Sequence, residues 1–166
     1  FCLHWNPALV NTKNLIDSGA LGDPYYVDVD YWHGIQKWYP QYHWSVKKKQ
    51  GGSSLLSAGC HAVDAMRWFM GAHKKVVEVS AYNIDHKGDN TDWDFAPSTI
   101  LICKFEDGTV GKVASTLDCK MPYAFNVDVL GTKGTIRDNR LWSEPLFPAQ
   151  NGWTTLAAVP PDSGDV

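Results

Sequence analysis

The stretch from residue 99 to residue 137 does most to limit what this chain can fold into. Thr99 to Phe105 and Thr109 to Thr116 are strand-like runs separated by Glu106-Asp107-Gly108. Phe125 to Leu130 and Thr135 to Arg137 are separated by Gly131-Thr132-Lys133-Gly134. Both separators are hairpin turn signals, so the two pairs of runs predict two antiparallel hairpins. A further strand is predicted over Val76 to Tyr82. Such a run of hairpins needs something to cover one face of the sheet it builds.

The first half of the chain supplies the cover. Asn6-Pro7 is a helix start, since Asn suits the N-cap and Pro at the first helical position loses no hydrogen bond the helix needs. Val10, Leu15 and Ile16 give that helix its apolar stripe, and Gly19 or Gly22 ends it. In YYVDVDYW, Tyr25, Val27, Val29 and Tyr31 alternate with Tyr26, Asp28, Asp30 and Trp32. Period two predicts a strand with one buried and one polar face. A second helix is predicted over 54–70 with Gly71 as its C-cap. The order helix, strand, helix, hairpins predicts an α+β fold: an open, mostly antiparallel sheet with helices on one face. Strand residues such as Ile100, Ile102, Val110, Val113, Val127 and Val129 then divide between the helices and an open face. An uncovered apolar face predicts a homo-oligomer, a dimer or tetramer, assembled through it.

At 166 residues the chain is long enough for one domain with a sizeable core. A net charge of -3 and a pI of about 6.0 argue against a nucleic-acid surface, which needs a concentrated positive field. Lys47-Lys48-Lys49 is the one basic cluster and reads as a solvated loop. No apolar run approaches the ~20 residues of a membrane span. Cys2, Cys60, Cys103 and Cys119 include no CxxC pair, so no structural zinc site is signalled and a reducing, cytoplasmic setting is expected. The start at Phe1 and the stop after Pro160-Pro161 suggest a piece of a longer chain.

Chemistry concentrates in GGSSLLSAGCHAVDAMRWFMG, residues 51–71. At ~100° per residue, Leu55, Leu56, Gly59, Cys60, Ala62, Val63, Met66, Phe69 and Met70 form a core face. Ser57, His61, Asp64 and Trp68 form a second, narrow stripe. An imidazole oriented by a nearby carboxylate is a common general base at neutral pH. Gly51-Gly52 lets another segment or a ligand approach the backbone. The preceding loop, residues 33 to 52, carries His33, Trp38, Tyr39, Tyr42, His43 and Trp44, rings able to wall a pocket over the stripe. The plainer reading is a packed histidine and a lysine-paired aspartate. A metal hydrolase built on His33, His43, His61, His73 or Cys60 is disfavoured, because no pair has a recognised ligand spacing.

Taken in order, His4-Trp5-Asn6-Pro7, LIDSGALGDPYYVDVD at 15–30, the Trp44 loop, GGSSLLSAGCHAVD at 51–64 and LGTKGTIRDN at 130–139 resemble the C-terminal domain of the Gfo/Idh/MocA family of NAD(P)-dependent oxidoreductases. This is the glucose–fructose oxidoreductase and inositol dehydrogenase group. The 51–64 segment is the specific one, similar to the family's GG…DxGxHxxD pattern. The resemblance implies that residues 1–166 are the substrate-binding and oligomerisation domain of a two-domain Rossmann oxidoreductase, of the dihydrodipicolinate reductase and GAPDH type. It implies hydride transfer between NAD or NADP and a sugar or cyclitol hydroxyl, with His61 as the base. Asp64, Ser57, Trp38, Trp44 and Lys47 are the expected substrate-binding residues. Ser57 stands where the family has an aspartate, which motivates an alternative: a catalytically impaired binding or scaffolding member. No G-x-G-x-x-G follows a strand in the chain, and the family's Glu-Lys-Pro lysine is absent from it. The cofactor is therefore expected to be held by an N-terminal Rossmann domain outside this chain, and the fragment alone is expected to be inactive.

Overall fold

The structure is a computed structural model and describes residues 1–86, 90 and 92–157. Its centre is an eight-stranded sheet, mostly antiparallel, in the order β2-β3-β4-β1-β5-β6-β7-β8. The strands are β1 (Pro24–Trp32), β2 (Val76–Ile84), β3 (Ser98–Phe105), β4 (Val110–Thr116), β5 (Ala124–Gly131), β6 (Gly134–Arg137), β7 (Arg140–Ser143) and β8 (Thr154–Thr155). Both expected hairpins are present. Gly108 takes a φ of 84° in the β3–β4 turn, which favours glycine. In the β5–β6 turn the glycines serve space instead, since a Cβ on Gly131 would run into the Leu21 carbonyl. The one parallel pair is β1 with β4, which places β1 between two strands that follow it much later in the chain. Strands β7 and β8 extend the sheet beyond the sequence expectation.

Two helices cover one face. Helix α1 (Pro7–Asp17) is capped by the Asn6 side chain, which accepts from the amides of Ala8 and Leu9 at 3.0 and 3.4 Å. Its buried residues are Leu9 and Thr12, with Leu15 and Ile16 packed alongside, so Leu9 takes the place expected of Val10. Thr12 is tolerated there because its hydroxyl donates to the Ala8 carbonyl at 3.0 Å. The second helix lies where expected but opens with a π-turn, Leu55–Gly59, before continuing as α4 (Cys60–Met70). The wider turn breaks the 100° spacing, which is why Leu56, expected in the core, is 74% exposed. Gly71 ends the helix at φ 109°.

Residues lacking a side chain let helix and sheet meet closely. A Cβ on Gly59 would lie 2.6 Å from the Ser115 side chain, and one on Gly111 would strike the Met66 sulfur. Around these contacts, Met66, Phe69, Val27, Val29, Val113 and Val129 form the fully buried core. The opposite face is open. There Lys112 lies 2.9 and 3.1 Å from the carboxylates of Asp28 and Asp30, flanked by exposed Ile100, Ile102 and Tyr82. The loop expected over 33–52 is partly helical, with single turns α2 (Tyr42–Ser45) and α3 (Lys48–Gly51). These turns fold back so that the Ser45 carbonyl sits against Gly51, the close approach its missing Cβ allows. No helix among the described residues is long and apolar enough to cross a membrane.

Candidate active site

The π-turn and the first turn of α4 deliver Ser57, Ala58 and His61 to the end of β1, where Tyr31 and Ile35 leave the sheet. Together with Cys2, Tyr39, Gln41, Trp44 and Ser45 they line a cavity of about 240 Å³. The aromatic segment after β1 thus forms the wall opposite the helix. Helix N-terminal halves with a local π-turn recur at functional sites because the wider turn displaces side chains from their regular positions.

His61 is half-buried. Its ring stacks on Tyr31, with centroids 6.3 Å apart and planes at 22°, and meets the edge of Phe1 at 5.4 Å. Its Nδ1 is buried and, among the described residues, has no hydrogen-bond partner. Burial lowers its pKa below 6.5, against a weaker opposing pull from Asp64, so the ring is neutral at pH 7. A neutral imidazole with an unengaged nitrogen is able to accept a proton from a hydroxyl brought beside it.

Asp64 does not serve His61 directly. It accepts a 2.6 Å hydrogen bond from Nε2 of His4, and the His4 ring stacks on Trp68 at 4.1 Å with planes 11° apart. The stripe Ser57–His61–Asp64–Trp68 therefore splits into two groups. Ser57 and His61 face the cavity, while Asp64 and Trp68 hold the chain's first turn, Cys2–Trp5, against the helix. Of the expected substrate residues, the structure brings Ser57 and Trp44 together with His61. Lys47 points elsewhere, its Nζ donating to the Asp92 carbonyl at 3.1 Å. Trp38 lines a different cavity, with Tyr42, Asn90 and Asp92.

Sequence reasoning missed Tyr31, which read only as a strand residue, and also Cys2, Ile35, Gln41 and Ser45. Tyr31 is 2% exposed, and its hydroxyl lies 3.3 Å from Nδ1 of His33, which is 5% exposed. Burial lowers the His33 pKa and raises that of Tyr31, so both are uncharged at neutral pH. The available signal was alternation: Tyr31 falls in the same period-two set as the buried Val27 and Val29, one residue before the end of β1.

Among the described residues, no three His, Cys, Asp or Glu side chains gather as a metal-binding group. The four cysteines are free thiols. Among the described residues, no strand leads into a glycine-rich turn ahead of a helix: Gly51-Gly52 follows a helical turn, and the Ser45 carbonyl fills the space beside Gly51.

An eight-stranded, mostly antiparallel open sheet with helices on one face is the α+β fold of the C-terminal domain of one oxidoreductase family. The chain belongs to the GFO/IDH/MocA family, whose C-terminal domain matches residues 9–137. Among solved structures it is similar to levoglucosan dehydrogenase in complex with NADH and levoglucosan, at 21% identity and a TM-score of 0.76, covering 94% of this chain and 45% of that one. An NAD-binding oxidoreductase from Klebsiella pneumoniae gives 20% and 0.76, covering 95% and 46%. Scyllo-inositol dehydrogenase from Lactobacillus casei, with bound NAD(H) and scyllo-inositol, gives 19% and 0.69, covering 96% and 47%. The chain spans about half the length of these structures. Comparison with curated proteins yields no significant match.

Proposed function

We propose that this chain is the substrate-binding and oligomerisation domain of an NAD(P)-dependent oxidoreductase acting on a hydroxyl of a sugar or cyclitol, with His61 as the base. The observation that carries this reading is the neutral, half-buried His61 lining a small aromatic cavity. Family membership supports it, as do the levoglucosan and scyllo-inositol bound in similar structures. Oxidising an alcohol to a carbonyl removes a proton from oxygen and a hydride from carbon. Accepting the hydride is the chemistry an NAD(P) cofactor would supply from a dinucleotide-binding domain. This chain's part is the proton. His61 takes it from the hydroxyl, and Ser57, Gln41 and Ser45 offer hydrogen bonds to neighbouring hydroxyls. The rings of Tyr31, Tyr39 and Trp44 take the sugar's C–H faces and exclude water.

In the full-length protein, His61→Ala is expected to lower kcat about 10²–10⁴-fold, the usual contribution of a general base. KM should move far less. A variant with near-normal turnover on the protein's best polyol substrate would remove His61 from the role.

A second reading is a binding or scaffolding member without turnover. Its specific support is that, among the described residues, no carboxylate is hydrogen-bonded to His61: Ser57 stands in the family's aspartate position, and Asp64 is engaged by His4. Ser57→Asp separates the two readings. A rise in turnover from a negligible starting level would favour the scaffold reading, whereas a robust wild-type rate would exclude it.

A further inference from the structure

Trp38 was expected to wall the His61 cavity and instead lines a second one, of about 370 Å³, on the other side of the same loop. The two cavities are close neighbours. Ring centroids step from His61 to Tyr31 to His33 to Trp38 at 6.3, 6.1 and 6.5 Å. Trp38 also meets Tyr39, a residue of the His61 cavity, edge-to-face at 5.9 Å. The partition is the short helix α2: its Tyr42 lines the second cavity, while Trp44 and Ser45 line the first.

The second cavity has the make-up of a carbohydrate subsite. Trp38 is 66% exposed, a large ring held at its edge with apolar surface turned to solvent. Such a ring suits the C–H face of a pyranose. Beside it stand planar polar groups that take sugar hydroxyls. The Tyr42 hydroxyl lies 2.7 Å from Oδ2 of Asp92 and 3.0 Å from Oδ1 of Asn90, which fixes both acceptors. The Asn90 oxygen also accepts from the Asp92 amide at 3.1 Å, and Lys37 flanks the same carboxylate at 3.7 Å. Asp92 is thereby held ionised: the Tyr42 hydrogen bond keeps its pKa below the usual carboxylate value.

Size points the same way. The His61 cavity, at about 240 Å³, falls below the roughly 300–1,000 Å³ common for small-molecule sites and has room for one ring. The Trp38 cavity, at about 370 Å³, lies within that range and has room for a ring of its own.

We propose that the Trp38 cavity binds a second sugar ring, so that the substrate is a disaccharide or glycoside whose reacting ring sits at His61. This rests on the reading of the His61 cavity given above. The test is binding to the full-length protein, by calorimetry or saturation-transfer NMR. The probes are maltose, cellobiose, trehalose and sucrose, set against glucose and scyllo-inositol. The expected result is at least one disaccharide bound about 10-fold or more tightly than glucose, equivalent to about 1.4 kcal/mol. Trp38→Ala should abolish that advantage, bringing the ratio of the two Kd values close to one. Trp38→Phe should keep most of it, and Asp92→Asn should reduce it. Trp38 is exposed, so these variants leave the core intact. Equal affinity for glucose and every disaccharide overturns the proposal while leaving the His61 reading standing. A disaccharide advantage that survives Trp38→Ala also overturns it. Failure of every probe to bind overturns both.

Discussion

The two faces of the sheet obey different rules. On the helix-covered face, β1, β4 and β5 present Val27, Val29, Val113, Val127 and Val129, all nearly inaccessible, and glycine or serine where the helix comes closest. On the open face the same strands present Asp28, Asp30, Lys112 and Asp128, and only toward β3 and β2 does the surface become apolar. A covered face is set by volume, because every atom there has a packing partner. An open face is set by charge balance. Asp30 and Asp128 are pushed above the usual carboxylate range chiefly by burial, and Lys112 is held protonated by its two aspartates although its own burial pulls the other way.

The sharpest way to break this comparison is at the covered face. Phe69→Ala deletes a ring that is 1% exposed and should cost about 3–5 kcal/mol, read from the urea midpoint. Ile102→Asp, on the open face at 47% exposure, should leave that midpoint within about 0.5 kcal/mol. Its effect should fall on association instead, weakening a dimer about 10-fold or more in sedimentation experiments, as expected if the open face is where copies of the chain meet. A wild type that sediments as a monomer at high concentration would remove that role from the face. Lys112→Met should cost about 1 kcal/mol, since its partners keep some contact with water.

The smallest effect tests the site end of the covered face. His33 and His61 both have pKa values lowered by burial, so the folded state binds fewer protons than the unfolded one below pH 6.5. Their contribution is complete above that pH and is lost as pH falls toward the folded values. The urea midpoint should therefore decline below pH 6.5, and His33→Gln should flatten the decline. An unchanged slope would mean that His33 titrates normally.

Much of the covered face was legible in the sequence, because period two and the Asn6-Pro7, Gly71 and Gly108 punctuation are local signals. That Ser57 and His61 share one side of the helix was legible too, being an i, i+4 spacing. What was not legible depended on partners distant in the chain. Asp64 looked available to His61 until His4, sixty residues earlier, took its carboxylate. Trp38 and Lys47 belong to a loop whose two helical turns carry no periodic pattern, so its folding back on Gly51 could not be read. The π-turn left no trace either, and with it went the place of Leu56.

The position of β1 has a consequence for how the chain assembles. Strands β3–β4 and β5–β6 close through short turns and can pair early, as local contacts do. Strands β4 and β5 are neighbours in sequence but not in the sheet, because β1 lies between them. Until β1 inserts, each hairpin shows an unpaired edge, and the insertion must close a loop of more than seventy residues. The first strand of the chain is therefore the keystone of the sheet, and any state in which it is out of place leaves two edges open to edge-to-edge aggregation.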